Sequence, residues 1–274
     1  MNVTRPPVEY VLARCVLLDA LDALGAHCDA VVLVGAQAVY LHTGDADLTV
    51  APTTTDADIA LAPDRLHDKP LLEEALRGSG FTPGSDPGMW RGAGGVAVDL
   101  MVPEALSGSG GRRGARLPVH GNRVARRTTG LEPALVDNEQ QKLTSLDNSD
   151  DRSHVIRVAG PAALLVAKVI KVEERRGQPQ RLQPKDGLDV LRLLQACETS
   201  PLSDRLATLA GDPLAGDVTR MAMSSLMEHG RDREGPLATL AARAVAGLAD
   251  PETIAESLVS LVDDLLVSYQ QVRR

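Results

Sequence analysis

Three aspartates stand at positions from which their side chains could act together. Asp56 and Asp58 are two residues apart in DADIAL, a segment whose alternation of polar and apolar residues predicts a β-strand. Side chains at positions i and i+2 of a strand point to the same face, so the two carboxylates should lie close together. Asp99 interrupts VAVDLMV, a second predicted strand, where a buried charge without a partner would be costly. Because Mg²⁺ prefers carboxylate oxygens, the three aspartates predict a Mg²⁺ site that can hold two ions.

Carboxylates that share metal ions on neighbouring strands can catalyse an in-line phosphoryl displacement. In that interpretation Asp56, Asp58 and Asp99 are both the metal ligands and the catalytic residues, and Asp99 accepts the proton of the attacking hydroxyl. The structural alternative is that DAD forms a turn at a strand end and that Asp99 faces solvent on an amphipathic strand.

A glycine at a predicted strand-to-helix junction precedes this cluster. The apolar segment 30–34 predicts a buried strand, Gly35 ends it, and residues 36–42 predict a short helix. A glycine here lets the backbone approach a phosphate, and a helix N-terminus offers unpaired N–H groups. An ordinary helix-capping turn is the alternative. The candidate nucleotide-binding residues at and beyond this junction are Gly35, Ala36, Gln37, Thr54 and Thr55.

The elements that would position these residues change in character along the chain. Helices are predicted over 8–24 and 64–78, and strands over 30–34, 56–61 and 95–102. After about Arg157 the apolar spacing is almost wholly helical. The pattern predicts an α/β first domain, residues 1–157, and an all-helical C-terminal domain, residues 158–274.

Charge is distributed unevenly. The formal net charge is −8, but residues 105–131 contain no acidic residue and six arginines, which leaves −14 on the remainder. A basic strip on an acidic chain favours a face that meets a polyphosphate or RNA, and a solvated loop is the alternative. The six arginines are Arg112, Arg113, Arg116, Arg123, Arg126 and Arg127.

Several classes of protein are disfavoured. The cysteines are few and far apart, which argues against a zinc site or a disulfide framework. Walker, GxGxxG and GxSxG motifs are absent, so P-loop, Rossmann and serine-hydrolase sites are not expected. The first residues lack a signal-peptide pattern, and no apolar run approaches the ~20 residues of a membrane helix. We therefore expect a cytoplasmic protein without a membrane segment.

Five runs of sequence carry a resemblance to a known superfamily. VLVGAQAVYLHTG, TTTDADIAL and VAVDLMV together resemble nucleotidyltransferases with a DNA-polymerase-β-like core. That family has a strand, a Gly-Ser or Gly-Gly turn, a helix, a DxD strand and a later third carboxylate, whereas this chain has Gly35-Ala36 at the turn. ALLVAKVIKVEERR and KDGLDVLRLL narrow the resemblance to AbiEii-type and MenT-type nucleotidyltransferase toxins. The resemblance covers about residues 30–195.

This resemblance implies an α+β fold, in which a nucleotidyltransferase core, a small mixed sheet flanked by helices, is followed by helices. It implies Mg²⁺-dependent transfer of NMP from an NTP to a tRNA 3′ end, a tRNA contact through the arginine strip, and a cognate antitoxin or a silencing kinase. It assigns Lys168 to the catalytic site and Lys171, Lys185, Asp186 and Asp189 to nucleotide binding. Alternatively, the lysines are solvent-facing residues of an amphipathic helix, and the two aspartates favour a helix start or orient Lys168.

Two other functions stay open. A small-molecule nucleotidyltransferase, acting on an aminoglycoside-like acceptor, would use the same core, and an acidic cleft would suit a cationic acceptor. A catalytically degenerate nucleotide-binding module is the non-enzymatic alternative, which Ala36 keeps open because it replaces the second residue of the usual turn.

Overall fold

The computed structural model describes residues 6–44, 53–108 and 113–273. The described residues form two compact units. Unit 1 contains those within 1–38, 52–128 and 138–159, and unit 2 contains those within 39–51, 129–137 and 160–274. Unit 1 holds a mixed open sheet with flanking helices, and the C-terminal part of the chain is helical, as the sequence predicted.

Within the described residues the sheet of unit 1 has eight strands. Their order is β3-β4-β5-β2-β1-β8-β7, with β6 paired to β5 outside this path. The pairs β1–β8, β2–β5 and β5–β6 are parallel, and the pairs β1–β2, β3–β4, β4–β5 and β7–β8 are antiparallel. The strands are β1 (Val31–Val34), β2 (Asp56–Leu61), β3 (Thr82–Pro83), β4 (Met89–Arg91), β5 (Ala97–Pro103), β6 (Arg126–Thr128), β7 (Asn138–Thr144) and β8 (Ser153–Ala159).

The helices are α1 (Val8–Ala23), α2 (Gly35–Thr43), α3 (Leu72–Gly78), α4 (Glu132–Val136), α5 (Pro161–Arg175), α6 (Pro184–Ala196), α7 (Thr199–Gly211), α8 (Gly216–His229), α9 (Pro236–Ala244) and α10 (Pro251–Val272). All of these helices except the five-residue α4 lie in segments that the sequence predicted to be helical. Short 3-10 turns lie between several of these elements. Over the ranges that the structure describes, no helix combines the length and the apolar character needed to cross a bilayer.

The core of unit 1 lies between the sheet and α1. All four residues of β1 are buried, which is typical of a central strand covered on both faces. Ala13, Leu17 and Ala20 recur at helical spacing on the buried side of α1, which packs against β2 and β5. Trp90 of β4 is also buried and donates from Nε1 to the Val124 carbonyl at 3.0 Å. The centre of the sheet therefore packs against α1 on one of its two buried faces.

Unit 2 is a set of packed helices rich in Ala and Leu. Pro161 occupies the first turn of α5, where a missing N–H costs nothing. Gly187 lets α6 approach α9 closely, since a Cβ at this position would lie 2.6 Å from the Ala241 backbone nitrogen. Asp250 caps α10 by accepting from the Thr253 N–H at 3.0 Å.

Some local predictions were wrong or incomplete. The helix predicted over 64–78 begins later, since residues 63–65 form a separate 3-10 turn and α3 starts at Leu72. The hairpin of β7 and β8 was not predicted, since most side chains of β7 are exposed and polar.

Candidate functional site

The pairing of β2 with β5 brings the three aspartates onto one face of the sheet. Asp58 is the direct partner of Asp99, and Asp56 is the partner of Ala97. Paired residues of adjacent strands point to the same side, about 4.8 Å apart in the hydrogen-bonding direction. The three side chains are half-buried, whereas Ala57 and Val98 between them point into the core. Three aspartates therefore lie on one partly solvated face of the sheet.

Gly35 forms the junction between β1 and α2 beside Asp58. Val34 is the partner of Asp58 across the β1–β2 pair, so the next residue of the chain passes alongside this carboxylate. The φ angle of Gly35 is +71°, and a Cβ there would overlap the carboxylate and lie 2.7 Å from Asp58 Cβ. Only glycine satisfies both the backbone angle and the contact. The first turn of α2 thus starts directly against the carboxylate cluster.

Gln37 connects α1 to the start of β2. Its buried amide accepts from Arg14 Nε at 2.8 Å and donates to the carbonyls of Asp56 at 3.1 Å and Ala13 at 3.3 Å. Arg14 is itself buried and also donates to the Tyr10 hydroxyl at 3.0 Å. The oxygen and the nitrogen of the Gln37 amide are therefore both engaged in hydrogen bonds within unit 1. Through the Asp56 carbonyl, Gln37 positions the start of β2.

Replacing Gln37 with Met should destabilise the protein by about 2–3 kcal/mol, because buried groups of Arg14 and Asp56 lose their partner. Urea unfolding followed by circular dichroism measures the change. Gln140→Met is the matched control, since this glutamine is exposed on β7 and should change stability by less than about 0.5 kcal/mol. Equal effects of the two substitutions would contradict the connecting role.

The threonines before β2 differ in their surroundings. Thr54 is buried, and its hydroxyl donates to Asp56 Oδ1 at 2.5 Å. Thr55 is exposed. The role of Thr54 and Thr55 in nucleotide binding stays a prediction, and the hydrogen bond of Thr54 also orients the Asp56 carboxylate. Ala36, the second residue of α2, is buried.

Arg126 lies beside the third carboxylate. Its Nη2 is 2.9 Å from Asp99 Oδ2 and 3.1 Å from Met101 Sδ. Sequence reasoning placed Arg126 in the arginine strip and missed this contact. The only signal was that the strip follows the Asp99 strand, and that signal does not specify a pair.

The side chains of three further described arginines of the strip also have partners in unit 1. Arg113 pairs with Asp86 at 2.9 Å, Arg127 lies 3.5 Å from Glu104, and Arg123 donates to the Ser85 carbonyl at 3.2 Å. Arg113, Arg116 and Arg123 are exposed. Arg112 lies outside the described residues. The positive charge of the strip is therefore partly neutralised by acids of its own unit.

The donor set on this sheet face suits Mg²⁺ in its chemistry, because it consists of carboxylates on adjacent strands. In the conformation described, one of the three is bonded to a guanidinium instead. Over residues 6–44, 53–108 and 113–273, no three His, Cys, Asp or Glu side chains are grouped so that they could hold a metal ion. Asp56 and Asp58 lie on the same sheet face as this ion pair, and their role as metal ligands stays a prediction.

A second charged cluster is built within unit 2. Lys168 of α5 is buried, with Nζ 2.9 Å from Asp186 Oδ1 and 2.6 Å from Asp189 Oδ2. Lys171, one turn further along α5, reaches Asp186 at 2.8 Å. The sequence alternative in which Asp186 and Asp189 orient Lys168 matches these contacts. The roles of these residues in binding a nucleotide stay predictions, as does that of the half-buried Lys185.

The Lys168 cluster continues along α6 to a cation–π contact. The guanidinium of the buried Arg192 lies 5.3 Å from the ring centroid of Tyr40. Sequence reasoning did not select either residue, although Arg192 follows Asp189 by three positions and so lies on the same helix face. The sequence signal that could have identified Arg192 is its place within an otherwise apolar stretch of a predicted helix.

Burial and charge act in opposite directions on this cluster. Burial alone would lower the pKa of Lys168, but the attraction of Asp189 and Asp186 outweighs it, and the pKa of Lys168 is raised. Burial would likewise raise the pKa of Asp186, but Lys168 and Lys171 lower it to about 2. Lys168 and Asp186 are therefore both charged near neutral pH.

Acid should weaken the fold through Asp186. A carboxyl with a depressed folded pKa contributes stability that is complete above its unfolded pKa of 3.8 and is lost as the pH falls toward about 2. We expect the free energy of unfolding to fall by about 2 kcal/mol from this residue between about pH 5 and pH 2. Urea unfolding at a series of pH values measures it. Asp186→Asn should show a shallower decline, and parallel declines would contradict the assignment.

Comparison with known proteins found no relative. A scan against protein-family models, a search of curated proteins and a search of solved structures each gave no match.

Proposed function

We propose that the chain is a metal-dependent nucleotidyltransferase, which moves an NMP from an NTP to a hydroxyl acceptor and releases pyrophosphate. One observation carries the proposal. Asp58 is in register with Asp99 on adjacent parallel strands, with Asp56 on the same face and the Gly35 junction directly beside them. Carboxylates and a close backbone approach at a helix start are what binding of a metal–triphosphate complex requires.

The residues divide the task in this proposal. Asp56 and Asp58 would hold Mg²⁺, which when bound offsets the charge of the triphosphate. The first turn of α2 presents backbone N–H groups beside Asp58 and would orient the phosphates. Thr54 and Gln37 hold Asp56 through its carboxylate and its carbonyl respectively.

The reaction consists of one substitution at phosphorus. The acceptor oxygen forms a bond to the α-phosphorus, and the bond from that phosphorus to the oxygen bridging to the β-phosphate breaks. The acceptor hydroxyl loses its proton to a base, for which Asp99 is the candidate, and the bridging oxygen leaves as part of pyrophosphate. No oxidant or reductant is needed.

The proposed acceptor is a tRNA 3′ end, with a toxin role that a cognate antitoxin would counter. The support for it is the resemblance of the motifs, together with Arg116 and Arg123, which lie exposed in the basic strip. An aminoglycoside-like acceptor is the alternative within the same chemistry. The proposed roles of the three aspartates in metal binding and proton transfer are the same for both acceptors.

The test is incubation of the purified protein with Mg²⁺, each α-labelled NTP in turn, and either total tRNA or an aminoglycoside. Label on tRNA supports the RNA acceptor, and label on the aminoglycoside supports the alternative. Absence of label on both acceptors, with no release of pyrophosphate from any NTP, would count against the proposed activity.

The ion pair of Arg126 with Asp99 favours a second candidate, a catalytically degenerate module that binds a nucleotide without transferring it. In such a module the guanidinium would permanently occupy the third carboxylate. Equilibrium binding of a labelled NTP without pyrophosphate release would support this candidate over the enzyme.

A further inference from the structure

Arg126 is fixed on the same sheet face as the three aspartates. Residues 101 and 126 are partners across the parallel β5–β6 pair, and Asp99 lies two positions before Met101. Side chains of partners and of i and i+2 positions share a face, so Arg126 points to the side of the sheet that carries the carboxylates. The 2.9 Å contact with Asp99 agrees with this placement.

The backbone around Arg126 leaves it little freedom to move away. Val124 and Ala125 before it are buried, and Gly88 approaches so closely that a Cβ there would overlap the Arg126 backbone nitrogen. The guanidinium is about one-third exposed, and Met101 Sδ lies 3.1 Å from Nη2. The position of Arg126 in the site is therefore set by the packing of its backbone and by the contacts of its guanidinium.

The formal charge of the ionisable side chains on this face matches in magnitude that of one divalent cation. Three carboxylates and one guanidinium leave a formal charge of −2, which a single Mg²⁺ would neutralise. A guanidinium is always protonated and offers several N–H donors to carboxylate or phosphate oxygens. It can therefore supply positive charge at a place where two-metal enzymes use an ion.

We propose that Arg126 takes the place of a second metal ion, so that the site holds one divalent cation per chain, on Asp56 and Asp58. This inference rests on the proposed function, because it requires that the site binds a metal–nucleotide complex. The inference adds to the proposed function that one divalent cation binds per chain. It also gives Asp99 the role of holding the Arg126 guanidinium, and not a metal ion.

The test counts ions. The protein is saturated with an NTP analogue that cannot be cleaved between the α- and β-phosphates and is titrated with Mn²⁺. Ultrafiltration then gives the Mn²⁺ and the nucleotide retained per chain. We expect one Mn²⁺ per nucleotide in the unmodified protein and two in Arg126→Gln, where Asp99 is released. Arg127→Gln is the matched control, since this neighbour points to the other face and pairs with Glu104, and it should retain one.

Asp99→Asn gives an independent measurement that does not depend on the folding of Arg126→Gln. If Asp99 is not a ligand of the single ion, this variant should still retain one Mn²⁺, with its affinity changed less than about threefold. Two ions in the unmodified protein, one ion in a folded Arg126→Gln, or loss of the ion in a folded Asp99→Asn would each overturn the inference and leave the proposed activity standing. Retention of neither Mn²⁺ nor nucleotide by the unmodified protein would overturn both.

Discussion

Asp58→Asn should lower nucleotidyl transfer by a factor on the order of 10³ while leaving the protein folded. Asn has nearly the same size and shape as Asp, so the contact with Gly35 and the pairing with Asp99 across the sheet can persist. The lost charge removes a metal ligand of the proposed site. It also removes repulsion from neighbouring carboxylates, so the free energy of unfolding should not fall by more than about 1 kcal/mol.

The matched control is Asp64→Asn, an exposed aspartate of the same unit in a 3-10 turn. Initial rates of pyrophosphate release and urea unfolding curves should be measured for both variants. The control should match the unmodified protein in both. Full transfer activity in Asp58→Asn would exclude the proposed function of the cluster, whatever the acceptor.

Lys168→Met should destabilise the protein by about 3–5 kcal/mol, because it leaves two buried carboxylates without their shared cation. Asp186 and Asp189 are each about 1% exposed, so solvent cannot replace the lost charge. Met keeps the length of the side chain and so limits the effect of a cavity. Thermal and urea unfolding followed at 222 nm measure the loss in the helical unit.

Lys171→Met is the control for charge on the same helix. Lys171 is one-third exposed and contacts one of the two carboxylates, so its loss should cost about 1 kcal/mol. A Lys168→Met protein that is as stable as the unmodified one, but inactive in transfer, would contradict the structural role and favour the catalytic role that the resemblance implies. Equal destabilisation by both substitutions would contradict the expectation that the buried Lys168 contributes more to stability than the partly exposed Lys171.

The sequence was sufficient for the elements whose side chains repeat with a clear period. DADIAL predicted β2 with its observed bounds, and the apolar spacing after Pro161 predicted α5 and the helices that follow. These elements bury one continuous face, so the period of the pattern is also the period of the burial. The register that sets Asp58 opposite Asp99 could be anticipated only as a consequence of the two strands being neighbours.

The contacts that the sequence did not reveal depend on pairs that are distant along the chain. Arg126 reaches Asp99 only because β6 pairs with β5. A strand of three residues such as β6 is too short to show a periodic pattern in the sequence. Arg14 lies 23 residues from Gln37, and nothing in α1 indicates that this arginine is buried. The polar strand β7 is exposed along most of its length, so its composition resembles that of a loop.

Trp90 is the single tryptophan of the chain, and it lies in β4 as the partner of Val98, next to Asp99. Intrinsic fluorescence excited at the indole band therefore reports on unit 1 alone, whereas the far-ultraviolet dichroism of the chain is weighted toward the helices of unit 2. Buried and hydrogen-bonded to the Val124 carbonyl, the indole should emit at short wavelength when native and shift to the red when unit 1 opens. Two optical signals recorded on one sample thus distinguish whether the units unfold together or in sequence.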